Sequence, residues 1–452
     1  MSQPGLAGRV GAALLAPLRR RDWDRGYRAS LAADAWSAER IRAHHDRELV
    51  RLVRDAAARV PFYRDLYRRH GVDVGAFSGV ADLPKLPAIG KADLLAHGER
   101  MVRPGLPAVL TARMTTGGST GTIATIAMRR GLGTVDLGCI HALWRRVGVR
   151  PGDRMVRLRG ALLDGGRARA ELDRASRCLV VSTYHLRDAD VDGVVDLIDG
   201  FAPLWLHVYP SAAALLAGAM QRTGRRLARA PRGVLCGSEN VVPGQAELFE
   251  EVFGGRTYAH YGHSELALLG GWCERARTYH FLPNYGCLEL LDEAGRAVDG
   301  PGAAGELTGT GYLNRLMPLI RYRTGDWGAW DEPGPCPACG REHQRLVRID
   351  GRQQEYLVLR DGSRFPLTNI NALHGSFFSR IVRFQFVQGE PGRAVLRFVP
   401  ADPADGSGLA EIRSAFAYLE ALGLALSFEP VDSIPLTPRG KQRVVVRPDE
   451  VA

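Results

Sequence analysis

Glycine, serine and threonine occupy every position from Thr115 to Thr122. Glycine lets the backbone approach a ligand closely and adopt positive φ angles, and consecutive backbone N–H groups in such a loop bind anions. The stretch therefore indicates a cradle for phosphate groups, although an ordinary polar hairpin would have the same composition. It is not a Walker A motif, because Gly121 is followed by Thr122 and a strand-like run instead of by lysine and a helix. The candidate phosphate ligands are Thr115, Thr116, Gly117, Gly118, Ser119, Thr120 and Gly121.

Apolar runs flank this loop at residues 108–110 and 123–126, and they predict a strand, a tight loop and a second strand. Between residues 154 and 262, strand-like runs alternate with helical patterns, which is typical of a parallel sheet covered by helices. Ligands of such folds bind at the carboxyl ends of the strands. Because polar residues follow three of these runs, we expect three strand ends to converge with the loop. These ends are Tyr209-Pro210-Ser211, Gly237-Ser238-Glu239 and Tyr261-Gly262-His263-Ser264-Glu265.

The remaining parts of the chain differ in pattern. Residues 22–70 have helical periodicity, whereas residues 285–350 consist of short β segments between glycine and proline turns and predict a small antiparallel barrel or sheet. A last unit of strands and one helix begins near Asp350. The predicted fold class is α/β. Residues 1–350 would form a large region of several subdomains, with parallel and mixed sheets and a small β-barrel-like part. Residues 351–452 would form a small α+β domain.

The composition excludes several other classes of protein. The net charge is +11, but Lys85, Lys91 and Lys441 are the only lysines, and the arginines are scattered among acidic residues. We therefore expect no nucleic-acid partner. No run of ~18 apolar residues predicts a membrane span, and the apolar patch at residues 10–18 precedes its arginines, the reverse of a signal peptide. We expect a cytoplasmic protein with no membrane partner, and seven cysteines in such a chain do not predict a disulfide framework.

Several motifs, each weak by itself, follow one another in an order that resembles the adenylate-forming ligases. Within that superfamily the chain resembles the phenylacetate–coenzyme A ligase branch, including its capsule-biosynthesis-like members. The resemblance runs nearly end to end. The matching stretches are Val60-Pro61-Phe62-Tyr63-Arg64, Leu83-Pro84-Lys85-Leu86-Pro87, the glycine loop, the three strand ends, Tyr322-Arg323-Thr324-Gly325-Asp326, Gly351-Arg352 and Arg439-Gly440-Lys441.

The resemblance implies a role for individual residues. Glu265 would hold Mg²⁺, Asp326 would accept hydrogen bonds from the ribose hydroxyls, Tyr261 would stack on adenine, and Lys441 would contact the carboxylate and the α-phosphate. ATP would also contact Gly237, Ser238, Glu239, Gly262, His263, Ser264 and Arg352. The acid would contact Tyr209, Ser211, Gly262, His263 and Ala267. Residues 1–350 would bind ATP and acid, and residues 351–452 would form a mobile lid.

The implied reaction is the ATP- and Mg²⁺-dependent activation of a carboxylic acid, aryl or small and hydrophobic, as an acyl-adenylate with release of pyrophosphate. The acyl group would then pass to a thiol, with coenzyme A as the expected acceptor. Transfer to an amine, to a carrier protein or to another acceptor stays open, as does a non-catalytic nucleotide-binding partner. A homodimer is also open.

The chain departs from the family pattern in two places. The family loop often has a lysine where this chain has Thr122, and Arg129 or Arg130 are the cations that could replace it. The acidic residues that usually follow Gly-Arg at the start of the lid are here Gln353-Gln354-Glu355. The hinge is therefore expected only approximately, at residues 352–354.

A Cys-Pro-Ala-Cys pair, Cys336 and Cys339, has a spacing at which two thiolates can bind one zinc ion. A closed structural zinc site needs four ligands, and Cys273 and His280 lie upstream. The resemblance also implies zinc in this region of some family members. A zinc site of Cys273, His280, Cys336 and Cys339 and a loop with two free thiols both stay open.

Overall fold

The computed structural model describes the 452-residue chain except for residues 1–5, 116–123, 159–162, 164–167, 175, 183–185, 187–189, 242–243, 352–355, 363, 367–380, 401–405, 435–444 and 448–452. None of the helices in the described part combines the length and hydrophobicity needed to span a bilayer.

Helices form the N-terminal part, as the periodicity predicted. Ser37 caps α2 by accepting a hydrogen bond from the backbone N–H of Arg40, and Pro61 starts α3 at a position where its missing N–H costs no helical bond. The first helix begins earlier than residue 22, where the predicted helical region starts. The helices are α1 (Leu6–Ala33), α2 (Ala38–Arg59), α3 (Pro61–Arg69) and α4 (Lys91–His97), with short 3₁₀ helices at Val80–Lys85 and Gly98–Met101.

A hairpin carries the glycine loop. Strands β1 (Thr111–Thr115) and β2 (Thr125–Arg129) pair antiparallel, with Thr115 opposite Thr125 at the loop end and Thr111 opposite Arg129 at the other end. The predicted strand–loop–strand arrangement is present, but residues 108–110 form a 3₁₀ turn instead of the first strand. The reason is local: the N–H of Leu110 bonds to the carbonyl of Pro107, which closes the turn.

Helix α5 (Leu132–Arg146) follows the hairpin and packs closely against α1. Two glycines permit this approach, because a Cβ on Gly138 would lie 2.3 Å from the carbonyl oxygen of Trp23, and one on Gly26 would lie 2.0 Å from that of Val135. The indole N–H of Trp23 also donates to His141 Nδ1 at 3.0 Å. The N-terminal helix is therefore joined to the element that leads away from the glycine loop.

One large sheet contains twelve strands of the described chain, in the order β11-β12-β13-β14-β10-β9-β8-β7-β6-β3-β5-β4. Strands β5, β3, β6, β7 and β8 run parallel, and every residue of β6 and β7 is buried, as expected for strands covered on both faces. The β–α alternation is thus confirmed. These strands are β3 (Met155–Leu158), β4 (Ala170–Asp173), β5 (Cys178–Val181), β6 (Trp205–Val208), β7 (Gly233–Cys236) and β8 (Arg256–Gly262), with helices α6 (Val191–Phe201), α7 (Pro210–Thr223) and α8 (Gln245–Phe253).

The other half of the sheet is antiparallel and lies beyond β8. It is where the sequence allowed either a small barrel or a sheet, and the described pairing is that of a sheet: each strand extends the same large sheet, and a barrel-like part is not shown. The strands are β9 (Leu269–Trp272), β10 (Tyr279–Phe281), β11 (Gly286–Leu291), β12 (Ala304–Gly311), β13 (Tyr322–Trp330) and β14 (Arg345–Gly351).

The C-terminal part has its own hydrophobic core, in which Phe384, Phe386 and Phe416 are almost completely buried. Its four-stranded sheet has the order β19-β18-β17-β20, beside a two-stranded pair, β15 and β16. This agrees with the predicted α+β unit, and the domain boundary at residue 351 stays a prediction. The elements are β15 (Tyr356–Val358), β16 (Arg364–Pro366), β17 (Ile381–Val387), β18 (Arg393–Pro400), α9 (Gly406–Phe416), α10 (Tyr418–Ala421), β19 (Ala425–Pro430) and β20 (Val445–Val446).

Candidate active site

The three predicted strand ends lie on neighbouring parallel strands. Val208 of β6 pairs with Cys236 of β7, which pairs with Ala259 of β8. The N–H of Gly237 donates to the carbonyl of Val208 at 3.3 Å, so the segment after β7 starts beside the end of β6. The polar segments after these strands therefore share one edge of the sheet, where parallel folds bind ligands.

Tyr261 and Asp326 are 65 residues apart in sequence and are joined directly. The Tyr261 hydroxyl donates to Asp326 Oδ2 at 2.8 Å. The turn that presents Asp326 is itself fixed, because Gly325 adopts a φ of +82° and its N–H donates to Glu306 Oε1 at 2.8 Å. The Asp326 carboxylate is thus oriented from one side and can accept further hydrogen bonds with its remaining lone pairs.

Glu265 is joined to the same β13 segment by a second hydrogen bond. The Tyr322 hydroxyl donates to Glu265 Oε1 at 3.1 Å, and His263 Nδ1 lies 3.2 Å from Glu265 Oε2. Only 7% of the Glu265 side chain is exposed. A buried carboxylate that two neighbouring side chains orient from different sides resembles a metal ligand with outer-shell support.

Asp136, a partly buried acid of α5, lies near His263. The Tyr285 hydroxyl donates to Asp136 Oδ1 at 2.7 Å. Burial raises the pKa of Asp136 to about 6, although the hydrogen bond from Tyr285 and the nearby His263 act in the opposite direction. Helix α5 thus contributes a carboxyl group near His263 that is fixed by Tyr285.

Aromatic side chains pack together beside the segment Gly237-Ser238-Glu239, which follows β7. A Cβ on Gly237 would lie 2.2 Å from the His260 ring, so this position requires glycine. The Trp144 ring centroid lies 4.8 Å from that of His207 and 5.7 Å from that of His260. Ser238 adopts a φ of +68°, a backbone conformation that residues other than glycine rarely adopt and that costs free energy. The chain therefore turns sharply at this strand end.

The other predicted ligand-binding residues differ in how far the structure describes them. Tyr209 directly precedes Pro210, the first residue of α7, and Ala267 is fully buried, with its Cβ 3.0 Å from where a Cβ on Gly309 would lie. The glycine loop from Thr116 onwards, Arg352 and Lys441 lie outside the described residues, as does the side chain of Ser211. The roles predicted for all of these residues stay predictions.

Two contacts of the site were not predicted from the sequence. Tyr322 had no predicted role beyond its place as the first residue of a motif, yet its hydroxyl binds Glu265. Asp136 had no predicted role either, because it belongs to none of the motifs that carry the resemblance. An isolated acid within an otherwise mostly apolar helical stretch was the signal available for Asp136.

The four residues of the predicted zinc site come together. One ligand atom from each of Cys273, His280, Cys336 and Cys339 lies within 4.8 Å of the others. Cys273 follows β9, His280 lies in β10, and the two other cysteines lie in the turn between β13 and β14. In that turn Gly340 adopts a φ of +79° and its N–H donates to the carbonyl of Cys336 at 2.7 Å. The three thiols and the imidazole thus surround one position.

The chemistry of these side chains fits a metal ion. Burial and the nearby Arg146 lower the pKa of His280 to about 2, so its imidazole is neutral and able to bind metal. Burial opposes ionisation of Cys339, but hydrogen bonds with Arg341 lower the pKa of its thiol. Burial raises the pKa of Cys273 to about 11. All three cysteines are free thiols, and four ligands of these types are what a closed structural zinc site needs.

Comparison with known proteins agrees with the motifs. The chain is 28% identical over 379 residues to a phenylacetate-coenzyme A ligase of Thermus thermophilus, an alignment that covers 81% of this chain and 82% of the relative. It is 21% identical over 394 residues to the protein CapK of Staphylococcus aureus, an alignment that covers 85% and 84%. No model of a protein family matches the chain.

The fold is also shared with a solved ligase. The structure of 2-hydroxyisobutyryl-CoA ligase in complex with 2-HIB-AMP and CoA in the thioesterification state has a TM-score of 0.61. It is 20% identical, and the alignment covers 92% of this chain and 91% of that one. Sequence and fold therefore lead to the same result as the motifs: the chain is a homologue of the phenylacetate–coenzyme A ligases, within the superfamily of adenylate-forming ligases.

Proposed function

We propose that this protein is an AMP-forming ligase that joins a carboxylic acid to the thiol of coenzyme A in two steps. In the first, an oxygen of the acid attacks the α-phosphate of ATP, an acyl-adenylate forms and pyrophosphate leaves. In the second, the thiol loses its proton, its sulfur attacks the acyl carbon, and AMP leaves. The observation that carries the proposal is the pair of hydrogen bonds that joins Tyr261 to Asp326 and Tyr322 to Glu265.

Asp326 is proposed to hold the ribose of ATP. A carboxylate is an acceptor only, and it can receive hydrogen bonds from both ribose hydroxyls. The bond from Tyr261 uses one lone pair of Oδ2 and restricts rotation of the carboxylate. Tyr261 is proposed to stack on adenine, since its ring lies at the end of β8 and its hydroxyl contacts Asp326.

Glu265 is proposed to hold Mg²⁺, which prefers carboxylate and phosphate oxygens and keeps several waters. The described residues fit this role, because Tyr322 and His263 contact the two oxygens of the carboxylate and fix its orientation. The bound ion would offset negative charge on the phosphate oxygens. His263 and Tyr322 would keep Glu265 in the position that the ion requires.

The glycine loop and Lys441 are proposed to bind the phosphates, and Lys441 to act only when the C-terminal domain closes. The lysine would neutralise charge that builds on phosphorus during acid attack. After adenylation the domain would rotate to admit the thiol, with Arg352 near the hinge. Domain closure of this kind also excludes water from a reactive intermediate.

The acid is proposed to be aryl or small and hydrophobic, bound between the strand ends and α5. The similarity to the phenylacetate-coenzyme A ligase of Thermus thermophilus supports an aryl acid. Transfer to an amine, a carrier-protein thiol or another acceptor is the second candidate. The chain is also similar to the protein CapK, whose name specifies no acceptor for the acyl group, and this similarity favours keeping the second candidate.

Zinc is proposed to bind the cluster of Cys273, His280, Cys336 and Cys339 and to have a structural role. The four residues belong to segments that are distant in sequence, so a bound ion would tie the β9–β10 hairpin to the turn before β14. None of the four belongs to the three strand ends, and the chemistry at the α-phosphate would not pass through this ion.

The reaction class is tested by exchange of labelled pyrophosphate into ATP with a panel of aryl, aliphatic and amino acids. We expect Mg²⁺-dependent exchange with at least one aryl or small hydrophobic acid, and AMP and a thioester when coenzyme A is added. Nucleotide binding without exchange for any acid would identify a non-catalytic nucleotide-binding protein. Exchange without thioester formation would support the proposed adenylation but would show that coenzyme A is not the acceptor.

Lys441→Ala tests the two-step mechanism. We expect adenylation to fall by roughly 10²-fold or more, which is typical for the loss of one positioned electrostatic donor. The same variant, given synthetic acyl-adenylate and coenzyme A, should form thioester at a near wild-type rate. Lys85→Ala, which removes an exposed lysine paired with Asp82, is the matched control. Equal loss in both half-reactions would contradict alternating use of the lysine.

The zinc proposal is tested by elemental analysis of the purified protein, where we expect about one zinc per chain. Cys336→Ser should lose the ion and lower the melting temperature, because metal binding contributes to folding. Cys178→Ser, at another buried cysteine, should retain the ion. Metal-free protein in which Cys336→Ser leaves the melting temperature unchanged would show that the four residues do not hold a structural ion.

A further inference from the structure

A cavity of about 900 Å³ lies between α1, α2, α5 and the loop after β12. Among the described residues, none of those at the three strand ends lines it, whereas Arg129, one of the two arginines that could replace the loop lysine, does. Its wall includes Arg129, which lies at the end of β2 opposite the glycine loop. With about 3.3 Å per strand residue, the hairpin separates the cavity from the loop by more than about 10 Å. The cavity is therefore separate from the proposed catalytic site.

The inner wall of the cavity is mostly apolar. Ala29 and Ala32 of α1 face it from one side, and Leu132, Val135 and Cys139 of α5 from the other. The stretch of α1 from Arg25 to Ala32 gives this wall a length of about 10 Å. Such a surface accommodates a medium-length acyl chain or an aromatic ring and shields part of it from water.

Three of the lining side chains carry a buried polar atom with no hydrogen-bond partner in the described part of the chain. They are Trp36 Nε1, His44 Nε2 and Asn284 Oδ1. Buried polar atoms in native proteins almost always find a partner, in the protein, in water or in a ligand. Three such atoms around one cavity indicate that a polar group belongs there.

The charged side chains around the cavity favour an anion. In the described part of the chain, four arginines line it, with one acidic residue, Glu48. Arg315 pairs with Glu48, and Arg103 and Arg129 pair with Asp55 and Asp22, which do not line the cavity. Arg25 is exposed and makes no ion pair with a described residue. The arginine at residue 25 can therefore pair with the head group of a ligand.

We propose that this cavity binds a small amphipathic carboxylate, with its apolar chain along Ala29 and Ala32 of α1 and its head group at Arg25. This ligand is distinct from the acid that is activated at the strand ends. The proposal depends on the composition of the cavity and not on the reaction, so it stands or falls separately from the proposed function.

The test is calorimetric binding of decanoate, with decanol as the uncharged probe, to protein saturated with AMP. We expect one decanoate to bind the wild type. Ala29→Trp fills the cavity and should weaken binding of both probes by about tenfold or more, the effect of losing roughly 1.4 kcal/mol. Ala32→Trp is a second filling variant, and Ala81→Trp, at an exposed alanine outside the cavity, should bind as the wild type does.

Arg25→Glu tests the charge preference. The substitution should weaken the binding of decanoate by roughly fivefold, the scale of one exposed charge pair, and leave the binding of decanol unchanged. Each variant is compared at an unchanged melting temperature. Absence of decanoate binding, or wild-type binding in both filling variants, would overturn the proposed site. Equal weakening of decanoate and decanol by Arg25→Glu would overturn the assignment of the ligand as an anion.

Discussion

Two hydrogen bonds hold the candidate active site together. They join β8 and the segment that follows it to the first half of β13, through Tyr261 and Asp326 and through Glu265 and Tyr322. Strands β8 and β13 are not neighbours in the sheet, because β9, β10 and β14 lie between them. The chain reverses direction between β8 and β9, and Leu266 adopts a φ of +56° in this connection.

Several features of the antiparallel half of the sheet follow from this turn. The segment after Leu266 lies against β12, where Gly309 and Gly311 leave room for it: a Cβ at Gly311 would lie 2.6 Å from the carbonyl oxygen of Leu266. Strand β12 in turn supplies Glu306, which accepts the N–H of Gly325 and binds Arg323. Strand β12 thus accommodates the segment after Leu266 through its glycines and fixes the turn that presents Asp326 through Glu306.

The parallel half of the fold was predictable because its strands are short and mostly buried, and β6 and β7 are buried at every residue. The alternation of strands and helices between residues 154 and 262 was predicted, and the three polar strand ends lie on neighbouring strands as expected. The sequence could not identify the partner of Glu265, since a tyrosine 57 positions later carries no local signal of its contact. It also could not separate a barrel from an extended sheet at residues 285–350, because antiparallel segments with glycine turns are common to both. The zinc-site cluster required knowing which distant segments meet, and the pairing of β10 with β9 and β14 brings them together.

The central claim is that Tyr322 acts through Glu265 to hold the metal ion, and a double-mutant cycle measures this coupling directly. The quantity is the Mg²⁺ concentration that gives half-maximal ATP–pyrophosphate exchange in the wild type, Tyr322→Phe, Glu265→Gln and the double variant. Glu265→Gln should raise this concentration most. Tyr322→Phe should raise this Mg²⁺ concentration when Glu265 is present. It should have little further effect in the Glu265→Gln background, because the effects of coupled residues are not additive. Fully additive effects of the two substitutions would contradict the account.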